Sequence, residues 1–176
     1  MVKKIRGRKL NLLIESYEIK QKVRELGKQI TEDYKDKDLV LIGILKGGFI
    51  FLADLVRTIE LKTEIDFIRV SSYKEEMYPG DIELLTEPQS PIKDRDILLV
   101  EDLLDTGGTL EFIRDLILSK EPASFKICAF MTKRKTRDIA IDVDYVGFEI
   151  DDKFVVGYGT DFAEQGRNLP DIYVVE

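Results

Sequence analysis

The chain has 176 residues, 44% of them hydrophobic and 35% charged, which suits one domain with a sizeable core. Its 27 basic residues against 34 acidic ones leave a net charge of -7, a poor balance for general nucleic-acid binding, where phosphate contacts dominate affinity. It has no histidine and a single cysteine, which excludes a Ser-His-Asp or Cys-His centre, a histidine-ligated metal and an intrachain disulfide.

The first residues are basic (Lys3, Lys4, Arg6, Arg8, Lys9), but the apolar stretch behind them, Leu10 to Ile14, is too short for a secretory core. No segment approaches the ~20 residues of a membrane span, so a cytoplasmic protein without membrane contact is expected. Ser16 to Tyr34 carries Ile19, Val23, Leu26 and Ile30 on one helical face, with Ser16 as the expected cap. Leu39 to Leu45 is a continuous apolar run, the mark of a strand buried on both faces. Lys46-Gly47-Gly48 breaks it, and Phe49 to Ile59 returns to helical spacing. Glu64 to Val70 reads as a second strand. Ser71 to Asp94 is polar, with a short strand expected near Ile82 to Leu85; a connection this long is usually functional or disordered.

Asp96 to Glu101 is expected as a third buried strand, followed by a glycine turn and a helix to about Ser119. Ser124 to Met131 is a fourth, with Cys128 as a small core residue. Short strands follow near Tyr145 to Phe148, Phe154 to Gly157 and Ile172 to Val175. Strands alternating with helices argue for an α/β fold with a parallel sheet flanked by helices. No repeat or linker divides the chain, so 1–176 is expected to form a single domain.

The densest chemistry lies in Glu101-Asp102-Leu103-Leu104-Asp105-Thr106-Gly107-Gly108-Thr109. Two acids close an apolar strand, a third follows, and a glycine turn between threonines opens a helix. Ligands of open α/β sheets bind at the carboxyl ends of strands, and a helix N-terminus offers free N–H groups to a phosphate. Carboxylates beside a phosphate repel it unless a cation or sugar hydroxyls intervene. That combination points to a phosphorylated sugar with magnesium, a hard cation on oxygen ligands. The plain alternative is that Asp105 or Thr106 merely caps the helix.

The longer pattern resembles the phosphoribosyl pyrophosphate signature of the type I phosphoribosyltransferases. Three further segments resemble the hypoxanthine-guanine members: Leu45-Lys46-Gly47-Gly48 with Ala53-Asp54-Leu55, Ser71-Ser72-Tyr73, and Lys133-Arg134 with Asp144 to Ile150, Asp152 to Tyr158, Asp161 and Arg167. The departures are a charged stretch, Lys74 to Pro79, in place of a Ser/Gly-rich lid, together with Gly159-Thr160 and Ala163-Glu164-Gln165-Gly166.

The resemblance implies a sheet with a small hood built from N- and C-terminal segments, a purine-binding part at about 133–176 and a mobile lid at about 71–94 that includes Ser72 and Tyr73. It implies a Leu45–Lys46 peptide that can be cis. It implies Asp105 as the general base and Lys133, Phe154, Val155 and Asp161 around the purine. Glu101 and Asp102 would hold the ribose hydroxyls, directly or through magnesium, and Thr106, Gly107, Gly108 and Thr109 the 5-phosphate. Lys46, Gly47 and Arg167 would meet the pyrophosphate, with Asp161 near a second magnesium. The substrates implied are phosphoribosyl pyrophosphate and a 6-oxopurine, and the implied assembly is a homodimer or homotetramer. Alternatives are a phosphoribosyl pyrophosphate sensor, a magnesium phosphatase, and a transferase for another base. The sensor is disfavoured by the acid at 105 and the base-recognition segment. The phosphatase would want an Asp-x-Asp pair where this chain has adjacent acids. The Lys133 and Phe154 segments argue against orotate, uracil or adenine.

Overall fold

A computed structural model describes residues 4–72, 82–105, 107–133 and 141–176. The elements run β1 (Lys4–Ile5), β2 (Arg8–Ile14), α1 (Ser16–Asp33), β3 (Leu39–Leu45), α2 (Phe49–Val56), β4 (Glu64–Ser72), β5 (Ile82–Thr86), β6 (Asp96–Leu104), α3 (Gly108–Leu118), β7 (Ser124–Lys133), β8 (Tyr145–Ile150), β9 (Val155–Val156) and β10 (Ile172–Val175).

Six strands form the main sheet in the order β5-β4-β3-β6-β7-β8. Its pairings are parallel except that of β5, which lies antiparallel on the β4 edge. The apolar runs read as doubly buried strands are so because successive side chains serve opposite faces. Leu39, Leu41, Leu98 and Val100 pack with α1 and α2 residues such as Ile30 and Phe51 on one side. Val40, Ile42, Ile97 and Leu99 meet Leu110, Ile113 and Ile117 of α3 on the other. Cys128 is buried in the first of these layers, as expected.

Chain order sets the position of the site. From β3 the sheet grows one way through β4 and β5, then the other way through β6, β7 and β8. The β3/β6 junction is therefore a topological switch point, where the loops leaving two adjacent parallel strands part and leave a crevice.

A second sheet joins the two ends of the chain in the order β1-β2-β10-β9, with its own small core of Ile5, Leu10, Val156 and Tyr173. Leu10 to Ile14, read from the sequence only as an apolar stretch, belongs to β2 and pairs with β10. The partner strand is more than 150 residues away, as in the pair Ile172↔Ile14, and no local pattern reports it.

Several boundaries differ from expectation: β4, β7 and β8 each run two residues further, to Ser72, Lys133 and Ile150, and the ends of α1, α2 and β6 differ for reasons the structure shows. The N-cap of α1 is Glu15 rather than Ser16; the Glu18 carboxylate accepts the Glu15 N–H at 2.9 Å, and the Ser16 N–H goes to Asp171 at 2.9 Å. Helix α2 stops at Val56, short of Ile59, where the Thr58 hydroxyl donates to the Leu55 carbonyl at 2.7 Å. Strand β6 continues past Glu101 to Leu104, because Leu103 and Leu104 keep pairing with Met131 and Thr132 of β7. No helix among the described residues is long and apolar enough to cross a membrane.

Candidate active site

The extension of β6 changes the character of the two acids. Glu101 and Asp102 lie within a strand, and Glu101 is only 8% exposed. Burial first, then the neighbouring Asp102 charge, pushes the Glu101 carboxyl well above its usual range. Its Oε1 accepts the Asp102 N–H at 2.9 Å, and Asp102 Oδ1 accepts the Leu103 N–H at 2.9 Å.

On the adjacent strand β3 gives way to Lys46-Gly47-Gly48 through a Leu45–Lys46 peptide that is cis. Gly47 meets the acids directly: a Cβ there would lie 2.0 Å from Asp102 Oδ2. The absence of a side chain at 47 allows this approach without displacing the Asp102 carboxylate, and it brings the loop after β3 against the end of β6. Gly159, at φ 105°, likewise brings the C-terminal segment onto this loop, since a Cβ there would lie 2.3 Å from the Gly47 carbonyl oxygen. The same segment is tied to α2 by the Tyr158 hydroxyl, which donates to Asp54 at 2.8 Å.

The N-cap of helix α3 is Gly107, in the left-handed region at φ 97°. Among the described residues a Cβ on Gly108 would meet nothing within 4 Å, so the space beside Gly108 is open. Thr109 is half-buried in the first turn of α3. Thr106 and Tyr73 lie outside the described residues, as do residues 73–81 of the expected lid; Ser72 ends β4.

Asp105 is exposed just past β6, and its Oδ2 lies 3.0 Å from the Lys133 ammonium. Lys133, the last residue of β7, is 7% exposed and so is not a solvated charge at a strand end. Its Nζ also reaches Asp152 Oδ1 at 3.1 Å. Burial pulls this ammonium down, but the hydrogen bonds and charges of Asp105 and Asp152 outweigh it and leave the pKa above 10.5. Phe154 is 53% exposed although it belongs to a folded segment, so it is not a core residue. Its ring stands edge-on to Phe162, with centroids 5.5 Å apart. Val155 lies in β9, an edge strand of the second sheet.

The C-terminal loop gathers the remaining charges. Arg167 donates to the Gly159 carbonyl at 2.8 Å and pairs with Asp161 Oδ1 at 2.7 Å. Asp161 Oδ2 accepts the Glu164 N–H at 2.8 Å, so both of its oxygens are engaged within the loop. Glu164 pairs with Lys46 at 3.0 Å and lies 3.6 Å from Arg167. The sequence had singled out neither Asp152 nor Glu164 as a site residue. Both stand beside singled-out positions, but no spacing links Asp152 to Lys133 or Glu164 to Lys46.

These features agree with comparisons to known proteins. Residues 13–163 match the family model of the phosphoribosyl transferase domain. A hypoxanthine-guanine phosphoribosyltransferase of Aquifex aeolicus is 45% identical over 177 residues, covering 99% of each chain. A hypoxanthine phosphoribosyltransferase of Escherichia coli is 42% identical over 164 residues, covering 92% of each. Among solved structures, a hypoxanthine phosphoribosyltransferase of Staphylococcus aureus superposes with a TM-score of 0.90 at 40% identity, over 94% of this chain and 91% of that one. With the fold, the switch-point crevice and these matches agreeing along nearly its whole length, the chain belongs to the phosphoribosyltransferase family, in its hypoxanthine-guanine group.

Proposed function

We propose that this chain transfers the 5-phosphoribosyl group from phosphoribosyl pyrophosphate to hypoxanthine or guanine in purine salvage, with magnesium, giving IMP or GMP and pyrophosphate. The observation that carries this reading is the buried Lys133 ammonium beside the exposed Asp105 carboxylate. An ammonium only donates, so it matches the 6-oxygen of these bases and is left without an acceptor by the 6-amino group of adenine. Asp105 receives the proton held at N7 as N9 bonds to the sugar carbon. The bond from that carbon to pyrophosphate breaks, and pyrophosphate leaves with the electron pair.

The other roles follow the same crevice. The exposed face of Phe154 supports stacking by a flat heterocycle. Val155 has backbone groups on the open side of an edge strand, suited to the base's far edge, with Asp161 nearby in the chain. The start of α3 at Gly107 and the open space beside Gly108 suit the 5-phosphate, with Gly107, Thr106 and Thr109 around it. Lys46, Gly47 and Arg167 take the pyrophosphate. Ser72 and Tyr73 belong to the lid that excludes water from the activated sugar.

Magnesium fits the donor set of Glu101 and Asp102. Among the described residues no cation pairs with these adjacent carboxylates, one of which is buried. Among the described residues no group of three or more acids could hold a metal alone, which suits an ion that shares its ligands with substrate oxygens. When bound, magnesium stabilises the charge that develops on the departing pyrophosphate. A second ion at Asp161 requires its contact with Arg167 or with the Glu164 N–H to open. The expected form is a cytoplasmic homodimer or homotetramer.

The test is nucleotide formation from phosphoribosyl pyrophosphate, magnesium and one base at a time. Hypoxanthine and guanine should give product and adenine none, and Asp105→Asn should lower kcat roughly 10²- to 10⁴-fold. Product from adenine would show that Lys133 is misassigned. Tight phosphoribosyl pyrophosphate binding with no turnover of any base would favour the sensor.

A further inference from the structure

Lys133 has two carboxylate partners, and the reaction accounts for only one of them. Its ammonium carries three N–H donors. One reaches Asp105 at 3.0 Å and another Asp152 at 3.1 Å. The two acids come from different parts of the chain. Asp105 follows β6, whereas Asp152 lies between β8 and β9, on the short segment that leads to Phe154. We propose that Asp152 is a positioning residue for base recognition: it holds the Lys133 ammonium in place when Asp105 turns to the purine. This rests on the roles given above to Lys133 and Asp105.

The need for such a residue follows from burial. Lys133 is 7% exposed, so water cannot replace a lost partner freely. When Asp105 engages the base, the ammonium gives up one anion. Asp152 then remains as its fixed acceptor, leaving the other donors for the 6-oxygen. A buried ammonium with no carboxylate would be free to turn away or shed its proton, and discrimination between an oxygen and an amino group would weaken.

The local backbone supports this role. The Lys153 N–H donates to the Asp151 carbonyl at 2.7 Å, a two-residue closure with Asp152 at its apex. The turn presents Asp152 to Lys133, while Phe154 stands two residues further on. The anchor of the 6-oxygen donor and the stacking ring therefore share one short segment. Asp151 next to it differs: its side chain is 70% exposed, and its ion pair is with Lys153 at 3.9 Å. It provides an internal control of equal charge.

The experiment compares Asp152→Asn, Asp152→Glu and Asp151→Asn with the wild type by initial rates. Asp152→Asn should raise KM for the base about tenfold and leave KM for phosphoribosyl pyrophosphate within about twofold. The ratio of kcat/KM for hypoxanthine over adenine should fall as well. Asp152→Glu should recover part of the loss, and Asp151→Asn should behave as wild type. A base KM unchanged in Asp152→Asn, or both KM values rising alike, would overturn the proposal. Exchange of the Lys133 ammonium protons, followed by nitrogen-15 NMR of the free protein, tests the contact apart from turnover. They should exchange faster in Asp152→Asn than in wild type or Asp151→Asn; equal rates in all three would also overturn it. A wild type that uses no 6-oxopurine while showing this exchange pattern would count against the proposed function and leave the contact standing.

Discussion

The Glu164 carboxylate lies 3.0 Å from the Lys46 ammonium, at the mouth of the crevice between β3 and β6. Hydrogen bonding to Lys46 and its charge hold the Glu164 carboxyl below its usual range, with a smaller contribution from Arg167. The two cations read as pyrophosphate ligands therefore already face an anion of the protein's own. Glu164→Gln should release Lys46 and remove the more distant of the two acids on Arg167, which keeps Asp161 at 2.7 Å. KM for phosphoribosyl pyrophosphate should fall roughly two- to fivefold, since exposed ion pairs are weak. Inhibition by added pyrophosphate should tighten by a similar factor, and both effects should shrink at high salt. Initial-rate and product-inhibition measurements at two ionic strengths check this. A KM that rises in the variant would mean that Glu164 assists binding.

A side chain at Gly47 would have to displace the Asp102 carboxylate, which a Cβ would approach to 2.0 Å. Gly47→Ala should push the loop and the carboxylate apart, at a local cost of about 1–3 kcal/mol. The hydrophobic layers lie elsewhere, so the far-ultraviolet circular dichroism should keep its native form. Activity at saturating base should drop more than tenfold. Wild-type kinetics in this variant would show that the close approach is dispensable.

Lys133 sets a pH expectation whose sign follows from its partners. Its folded pKa lies above the ordinary 10.5, so the folded state holds this proton more tightly than the unfolded chain does. The resulting stabilisation is fully present below about pH 10.5 and is lost as pH rises through the higher folded value. Thermal melts of wild type and Lys133→Met should therefore differ by a constant amount from pH 7 to 10 and converge only above that. Convergence near pH 8 would mean that burial, and not the two carboxylates, dominates this ammonium.

Much of the architecture was legible in the sequence because it is written in local periodicity. The run Leu39 to Leu45 is β3 to the residue, and the spacing of Ile19, Val23, Leu26 and Ile30 is the buried face of α1. The strand-turn-helix around Asp105, and its resemblance to a known signature, located the crevice. The sequence alone therefore determined the fold class and the family, and it named the separate segments from which the candidate site is drawn.

Only the tertiary structure decided what depends on residues far apart. It joined the two termini into a second sheet, through pairs such as Ile172↔Ile14. It buried Glu101 by extending β6 along β7, and Lys133 by giving it two carboxylate partners. It left Phe154 exposed, where its apolar character by itself suggests core packing. It also set Asp152 on Lys133 and Glu164 on Lys46, contacts that no spacing announces. Burial and charge pairing are properties of position in space. One sequence pattern is compatible with a solvated lysine or a buried one, and the packing of distant strands selects between them.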